Sequence, residues 1–152
     1  MLVKMFFCLG FLILPLTAQG EILDDCSIIK QANQEGAKNS RLILAIAKIE
    51  SSKNGRARNG VHYGLMQLKL GTAKMLGFRD KPTALLNWKT NLRYGVKYLD
   101  SKLDDYHGNL ASAVAAYNAG AAYIKRGTTK QYVNQGYVDL VLGLYRYSHP
   151  AC

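Results

Sequence analysis

The chain predicts a mostly α-helical single domain, and three observations carry that prediction. Apolar residues around 88–103 and 133–144 recur with a helical period. Residues suited to helix N-caps, Asp24 or Asp25, Ser40, Asn87 and Asn109, stand before the candidate helices. No convincing apolar/polar alternation of the kind a strand needs occurs in the 152 residues. A hydrophobic content of 49% with ordinary glycine and proline usage is enough for one sizeable core. Repeats, low-complexity tracts and linker-like segments are missing, so one domain is expected.

Residues 1–20 are expected to be a signal peptide. Lys4 supplies the positive start, Met5 to Leu16 the apolar run, and Ala18-Gln19-Gly20 a small-x-small cleavage motif. An uncleaved anchor is the alternative, but about a dozen apolar residues are short for a bilayer. Cys8 lacks the small-residue context of a lipidation site. The expectation is therefore an exported, periplasmic domain over residues 21–152, with no stable membrane insertion after cleavage.

The elements follow in order. A short helix is predicted from Asp24 or Asp25 through Cys26, Ile28, Ile29 and Ala32. The polar run Glu35 to Asn39 separates it from a helix capped by Ser40. That helix is apolar on almost every side from Leu42 to Ala47, the mark of a buried central helix. Residues 56–64, rich in Arg, Asn and Gly, predict a loop or small hairpin. Thr72 to Leu76 predicts one or two helical turns closed by Gly77. A helix capped by Asn87 carries Trp88, Leu92, Val96, Leu99 and Leu103 inward. A further one, capped by Asn109, runs through LASAVAAYNA to Gly120. The last is predicted from about Thr129 to Tyr147, with Val133, Tyr137, Leu140, Val141 and Leu144 as its inward stripe.

Export changes how the cysteines and the charge are interpreted. Without residues 1–20 two cysteines remain, Cys26 and Cys152, and an even count in an oxidising compartment favours a disulfide over two free thiols. The net charge is +10, and about +9 once Lys4 is removed. The basic residues are scattered rather than massed, and export removes most encounters with nucleic acid. A negatively charged envelope polymer is the expected partner, with no nucleic-acid role.

Little of the chain suggests chemistry. His62, His107 and His149 lack the paired spacing of a metal site and are expected to be surface or partly packed histidines. No nucleophile elbow or phosphate-binding glycine loop occurs. Glu50 is the sole carboxylate between Arg41 and Leu68. Ile43, Ile46 and Ala47 share its side of the helix, and it sits in the last turn, where the helix dipole disfavours negative charge. Both effects raise a carboxyl pKa and suit a general acid, although Lys53 would oppose them if it turned inward. The alternative is a carboxylate that only caps the following loop through hydrogen bonds. Gln67 is a polar residue among apolar ones, and Tyr117-Asn118 ends an Ala-rich helix. Such rings and amides suit a sugar-binding cleft, while Tyr117 as a plain core aromatic is the rival reading.

The order of these motifs is more specific than any one of them. Glu50-Ser51, Gly64-Leu65-Met66-Gln67-Leu68, Asn91 to Gly95, Tyr98-Leu99, Ala115 to Gly120 and Tyr132-Val133 together resemble the lytic transglycosylase family with a soluble-lytic-transglycosylase catalytic domain. The resemblance covers about residues 25–147 and implies a lysozyme-like fold of the goose type, with a small loop or hairpin beside the cleft. It implies Glu50 as the single catalytic acid and Ser51, Met66, Gln67, Tyr117 and Asn118 at the glycan cleft. It also implies that Tyr132 points toward the catalytic carboxylate. Such enzymes cleave the β-1,4 bond between N-acetylmuramic acid (MurNAc) and N-acetylglucosamine (GlcNAc) in peptidoglycan, leave a 1,6-anhydro end, and need no cofactor. Small members are expected to open the wall locally for secretion, conjugation or pilus machinery. This chain departs from the family pattern in a loop one residue shorter before Gly64, in Asn59 and Lys53, and in Thr128.

The single acid bears on mechanism independently of the resemblance. Ordinary glycosidases use two carboxylates, and with one the substrate's own acetamido oxygen is the natural nucleophile. Hydrolysis by a lysozyme-type muramidase stays open if Asp80, Asp100 or Asp104 folds back as a base. Two further readings are an inactive glycan-binding or assembly module and a cationic protein acting on membranes by charge alone.

Overall fold

The computed structural model describes residues 20–124 and 131–152, to which all structural statements below refer. Residues 1–19 of the expected signal peptide, and Thr128 and Thr129, lie outside them.

Helix α1 spans Asp25–Gln34, capped by the Asp24 side chain, which accepts from the Ser27 amide. Helix α2, Ser40–Ser51, forms the centre: Leu42 to Ala47 are all buried. Its cap is Asn39, one residue before the expected Ser40, because the Asn39 side chain accepts from the Leu42 amide at 3.0 Å. Two successive left-handed residues, Ser52 and Lys53, end it. Around α2 pack α1, α6 (Gln135–Tyr147) and α4 (Trp88–Asp105), while α5 (Leu110–Ala119) bridges α4 and α6. Asn87 and Asn109 cap α4 and α5 as expected.

The 56–64 stretch does form a hairpin, and it has a third strand. Strands β1 (Arg58–Asn59), β2 (His62–Tyr63) and β3 (Leu68–Lys69) make one antiparallel sheet in that order. Each strand has only two residues, too short for an alternating pattern to register in sequence. Helix α3, Leu70–Met75, follows β3 directly. A 3-10 helix, Pro82–Leu86, which sequence did not suggest, leads into α4.

Two corrections concern the last helix. It begins at Gln135, and Val133 precedes it, 57% exposed, with its amide on the Tyr123 carbonyl. Leu140 is 60% exposed. The buried face is centred on Val138, Val141 and the half-buried Tyr145, and Leu140 lies about 130° around the helix from that centre. The expected disulfide is present: Cys26 and Cys152 are bonded, their Cα atoms 5.6 Å apart.

Asn91 joins the sheet to the helices. Fully buried on α4, its carboxamide accepts from the Met66 amide (2.7 Å) and donates to the Tyr63 and Leu85 carbonyls (2.7 and 3.0 Å). Gly64 passes beside it at φ +69°, and a Cβ there would lie 2.4 Å from the Leu85 carbonyl oxygen. Both conformation and space demand glycine.

Candidate active site

The last turn of α2 delivers Glu50 to the floor of an open groove of about 400 Å³. One wall is the sheet and α3, with His62, Gln67, Leu68, Lys69, Thr72 and Met75. The other is α4 and the end of α5, with Tyr98, Lys102, Tyr117, Asn118, Ala119 and Gly120.

Burial pushes the Glu50 carboxyl above the ordinary glutamate range. A hydrogen bond from Tyr137 and the charge of His62 pull the other way without cancelling it. Lys53 does not oppose the rise. Its ammonium turns to Asp25 (2.8 Å), which also takes Lys48 (2.6 Å), on the side of α2 that meets α1. Asp100 and Asp104 are occupied by Lys38, and Asp80 is exposed. None of the three lines the groove. Among the described residues Glu50 is its sole carboxylate.

The sequence-predicted cleft residues divide into those that line the groove and those that shape it. Gln67 lines it from a left-handed backbone (φ 47°), its Nε2 donating to the Gly64 carbonyl at 2.8 Å. Tyr117 also lines it, although mostly buried. Its hydroxyl donates to the Met66 carbonyl (2.8 Å) and its ring packs on Tyr98 at 4.9 Å between centroids. Tyr117 is thus both the core aromatic and a wall of the groove. Asn118 is exposed and accepts from Asn134 Nδ2 at 2.9 Å.

Ser51 and Met66 do not line the groove. The Ser51 hydroxyl bridges the Ala47 carbonyl (3.1 Å) and the Leu65 carbonyl (2.8 Å), tying the end of α2 to the turn that carries Gln67. Met66 is fully buried against Gly95, where a Cβ would come within 2.6 Å of its side chain. The expectation of Met66 in the cleft wall is corrected: its backbone, held by Asn91 and Tyr117, fixes the turn.

Tyr132 is also corrected. Its hydroxyl shares a hydrogen bond with Ser112 Oγ of α5 at 2.8 Å, because it lies before α6, paired with Ile124. The tyrosine on the carboxylate is Tyr137, in the first turn of α6, which donates to Glu50 Oε1 at 2.6 Å. The chain has two Tyr-Val pairs five residues apart, and the second, Tyr137-Val138, reaches Glu50. The signal that could have chosen it is Val141, four residues on, which puts the pair in register with the buried face of α6. His62, expected to be a surface or partly packed histidine, is half-buried, and its place in the groove with Glu50 is what sequence reasoning missed.

Among the described residues no three His, Cys, Asp or Glu side chains cluster so as to hold a metal ion, and no helix is long and apolar enough to cross a membrane.

A buried core helix ending in one carboxylate, at a groove between a three-stranded sheet and a helical wall, is the architecture of a lysozyme-like domain. Comparison with known proteins gives the family: a model of the transglycosylase SLT domain matches residues 27–139, and the chain belongs to that family. The soluble lytic murein transglycosylase of Salmonella typhimurium is 37% identical over 89 residues, 54% of this chain and 14% of that protein. The membrane-bound lytic murein transglycosylase F of Idiomarina loihiensis is 34% identical over 98 residues, 59% of this chain and 20% of that one. Among solved structures, the 70-kDa soluble lytic transglycosylase of Escherichia coli superimposes with a TM-score of 0.56 at 29% identity, over 80% of this chain and 18% of that one. An inactive glutamate-to-glutamine mutant of lytic transglycosylase Slt from Pseudomonas aeruginosa gives 0.60 at 28%, over 84% and 22%. The chain thus spans about a seventh to a fifth of the length of these curated relatives.

Proposed function

We propose that this domain is a peptidoglycan lytic transglycosylase, cleaving the β-1,4 MurNAc–GlcNAc bond and leaving a 1,6-anhydro-MurNAc end. The observation that carries the proposal is Glu50, a desolvated carboxyl that is the groove's sole carboxylate among the described residues. Protonated Glu50 gives its proton to the glycosidic oxygen as the C1–O bond breaks and the GlcNAc alcohol leaves. The acetamido oxygen of the muramyl residue takes C1, a route available where a second carboxylate is lacking. The 6-hydroxyl then attacks C1 and expels the acetamido oxygen, and its proton returns to the Glu50 carboxylate. No water is consumed and the acid is regenerated. The polymer's negative charge suits a domain that is strongly basic.

The test is mass analysis of products from purified sacculi. Anhydro-muramyl ends are expected. Reducing muramyl ends would replace this reading with hydrolysis, and binding without cleavage would leave a glycan-binding module. The proposed setting is the periplasm, in local wall opening for a secretion, conjugation or pilus apparatus. It rests on the resemblance to small family members, and a pull-down of envelope partners tests it.

A further inference from the structure

The groove holds a second proton-handling side chain that the proposed mechanism does not use. His62 stands on β2, the middle strand of the sheet, and lines the same cavity as Glu50. Its Nδ1 lies 3.3 Å from the Asn59 carbonyl oxygen. A carbonyl only accepts, so Nδ1 carries the hydrogen and the neutral ring has its lone pair on Nε2. The surroundings set what this ring can do. From β1, Arg58 covers the Tyr63 ring, and from β3, Lys69 is the cross-strand partner of His62 and lines the groove too. Glu50 faces it from α2, Lys102 and Tyr98 from α4, and Tyr117 from α5. His62 is thus the ring-nitrogen acceptor of a wall whose other basic side chains are ammonium donors.

We propose that His62 is a substrate-contacting residue that accepts a hydrogen bond at Nε2 from an acetamido N–H of the glycan, and that its protonation releases that contact. This inference rests on the glycan-cleft reading above. Protonated, the ring has no lone pair, and it puts a cationic donor opposite a glycan N–H that can only donate. It also favours the ionised form of Glu50, the form that cannot act as the acid. Uptake of a proton removes the ring's only acceptor, so glycan binding is expected to weaken on acidification.

The experiment uses the full domain carrying Glu50→Gln, which blocks cleavage and removes the groove's sole carboxylate among the described residues. Binding of a GlcNAc hexasaccharide is measured by calorimetry from pH 7.5 to pH 5, beside the same domain with Glu50→Gln and His62→Gln. Affinity of the single variant is expected to fall about two- to tenfold, the range of one net hydrogen bond, and the double variant to lose that pH dependence. Nitrogen NMR of the single variant gives a reading that needs no change at His62: the Nε2 signal is expected to move on hexasaccharide addition. Binding that is independent of pH, or an Nε2 signal unmoved while the Gln67 and Asn118 amides shift, overturns this inference alone. No hexasaccharide binding at any pH, with sacculi left intact by the unmutated domain, overturns the glycan reading and this inference with it.

Discussion

The Tyr137 hydroxyl donates to Glu50 Oε1 over 2.6 Å, joining the first turn of α6 to the last turn of α2. The residues are 87 positions apart, and both are withdrawn from water. Burial and the neighbouring carboxylate hold the phenol far above its usual range, so it remains a donor at any working pH. It stabilises the ionised carboxylate against the burial that disfavours it. The bond therefore suits the second half of the proposed cycle, in which Glu50 is a base.

Tyr137→Phe is expected to raise the Glu50 pKa further, because it removes a bond that lowers it and leaves the burial that raises it. The alkaline limb of the pH–rate profile should move to higher pH, with a lower maximal rate. Turnover of sacculi across pH measures both. An unchanged alkaline limb would detach this bond from the chemistry.

Glu50→Gln is expected to cut cleavage by about 10²–10⁴-fold, the usual contribution of a general acid. It should also alter how stability varies with pH. A carboxyl whose folded pKa is raised favours folding below its unfolded pKa and loses that advantage as pH rises through the folded value. The variant should therefore gain thermal stability over the unmutated domain from about pH 4 upward, the gap levelling once Glu50 is ionised. Calorimetric melts from pH 3 to 8 give the comparison.

Asn91→Ala is expected to cost about 2–4 kcal/mol. It opens a cavity and strips partners from the Met66 amide and from the Tyr63 and Leu85 carbonyls, all at a buried position. Asn91→Asp keeps the acceptor and loses both donor bonds, so it too should destabilise. Urea unfolding measures each cost, and values within about 0.5 kcal/mol of zero would show that the turn holds itself.

Replacing Cys26 and Cys152 by serine is expected to lower stability by about 4–5 kcal/mol in the chain-entropy model, since the bond spans a sequence separation of 126 residues. The midpoint of thermal unfolding should fall by on the order of 10 °C. Reducing agent should reproduce the drop in the unmutated domain and leave the serine variant unaffected.

The helices were legible because periodicity and caps act locally. Asn87 and Asn109 announce α4 and α5, and the all-round apolar run announces α2. Glu50 was legible for the same reason, its apolar neighbours being one turn away. The partners that complete the groove were harder, because they arrive by packing. Nothing local to Tyr137 says that α6 lies along α2, and the first Tyr-Val pair was the wrong choice of two. His62 was discounted because a lone histidine carries no spacing signal, and its place depends on a hairpin of two-residue strands. The resemblance implies Met66 in the cleft wall, yet its side chain packs on Gly95 while Asn91 and Tyr117 hold its backbone, contacts that no local pattern announces.

The Cys26–Cys152 bond ties the segment that follows α6 to the first turn of α1, with the two Cα atoms 5.6 Å apart. Helices α1 and α6 both pack on α2, so the bond closes a covalent belt around the helix that carries Glu50. A belted helix has little freedom to slide between its neighbours. The place of its last turn, and of the carboxyl at its end, is therefore held by chain connection as well as by packing.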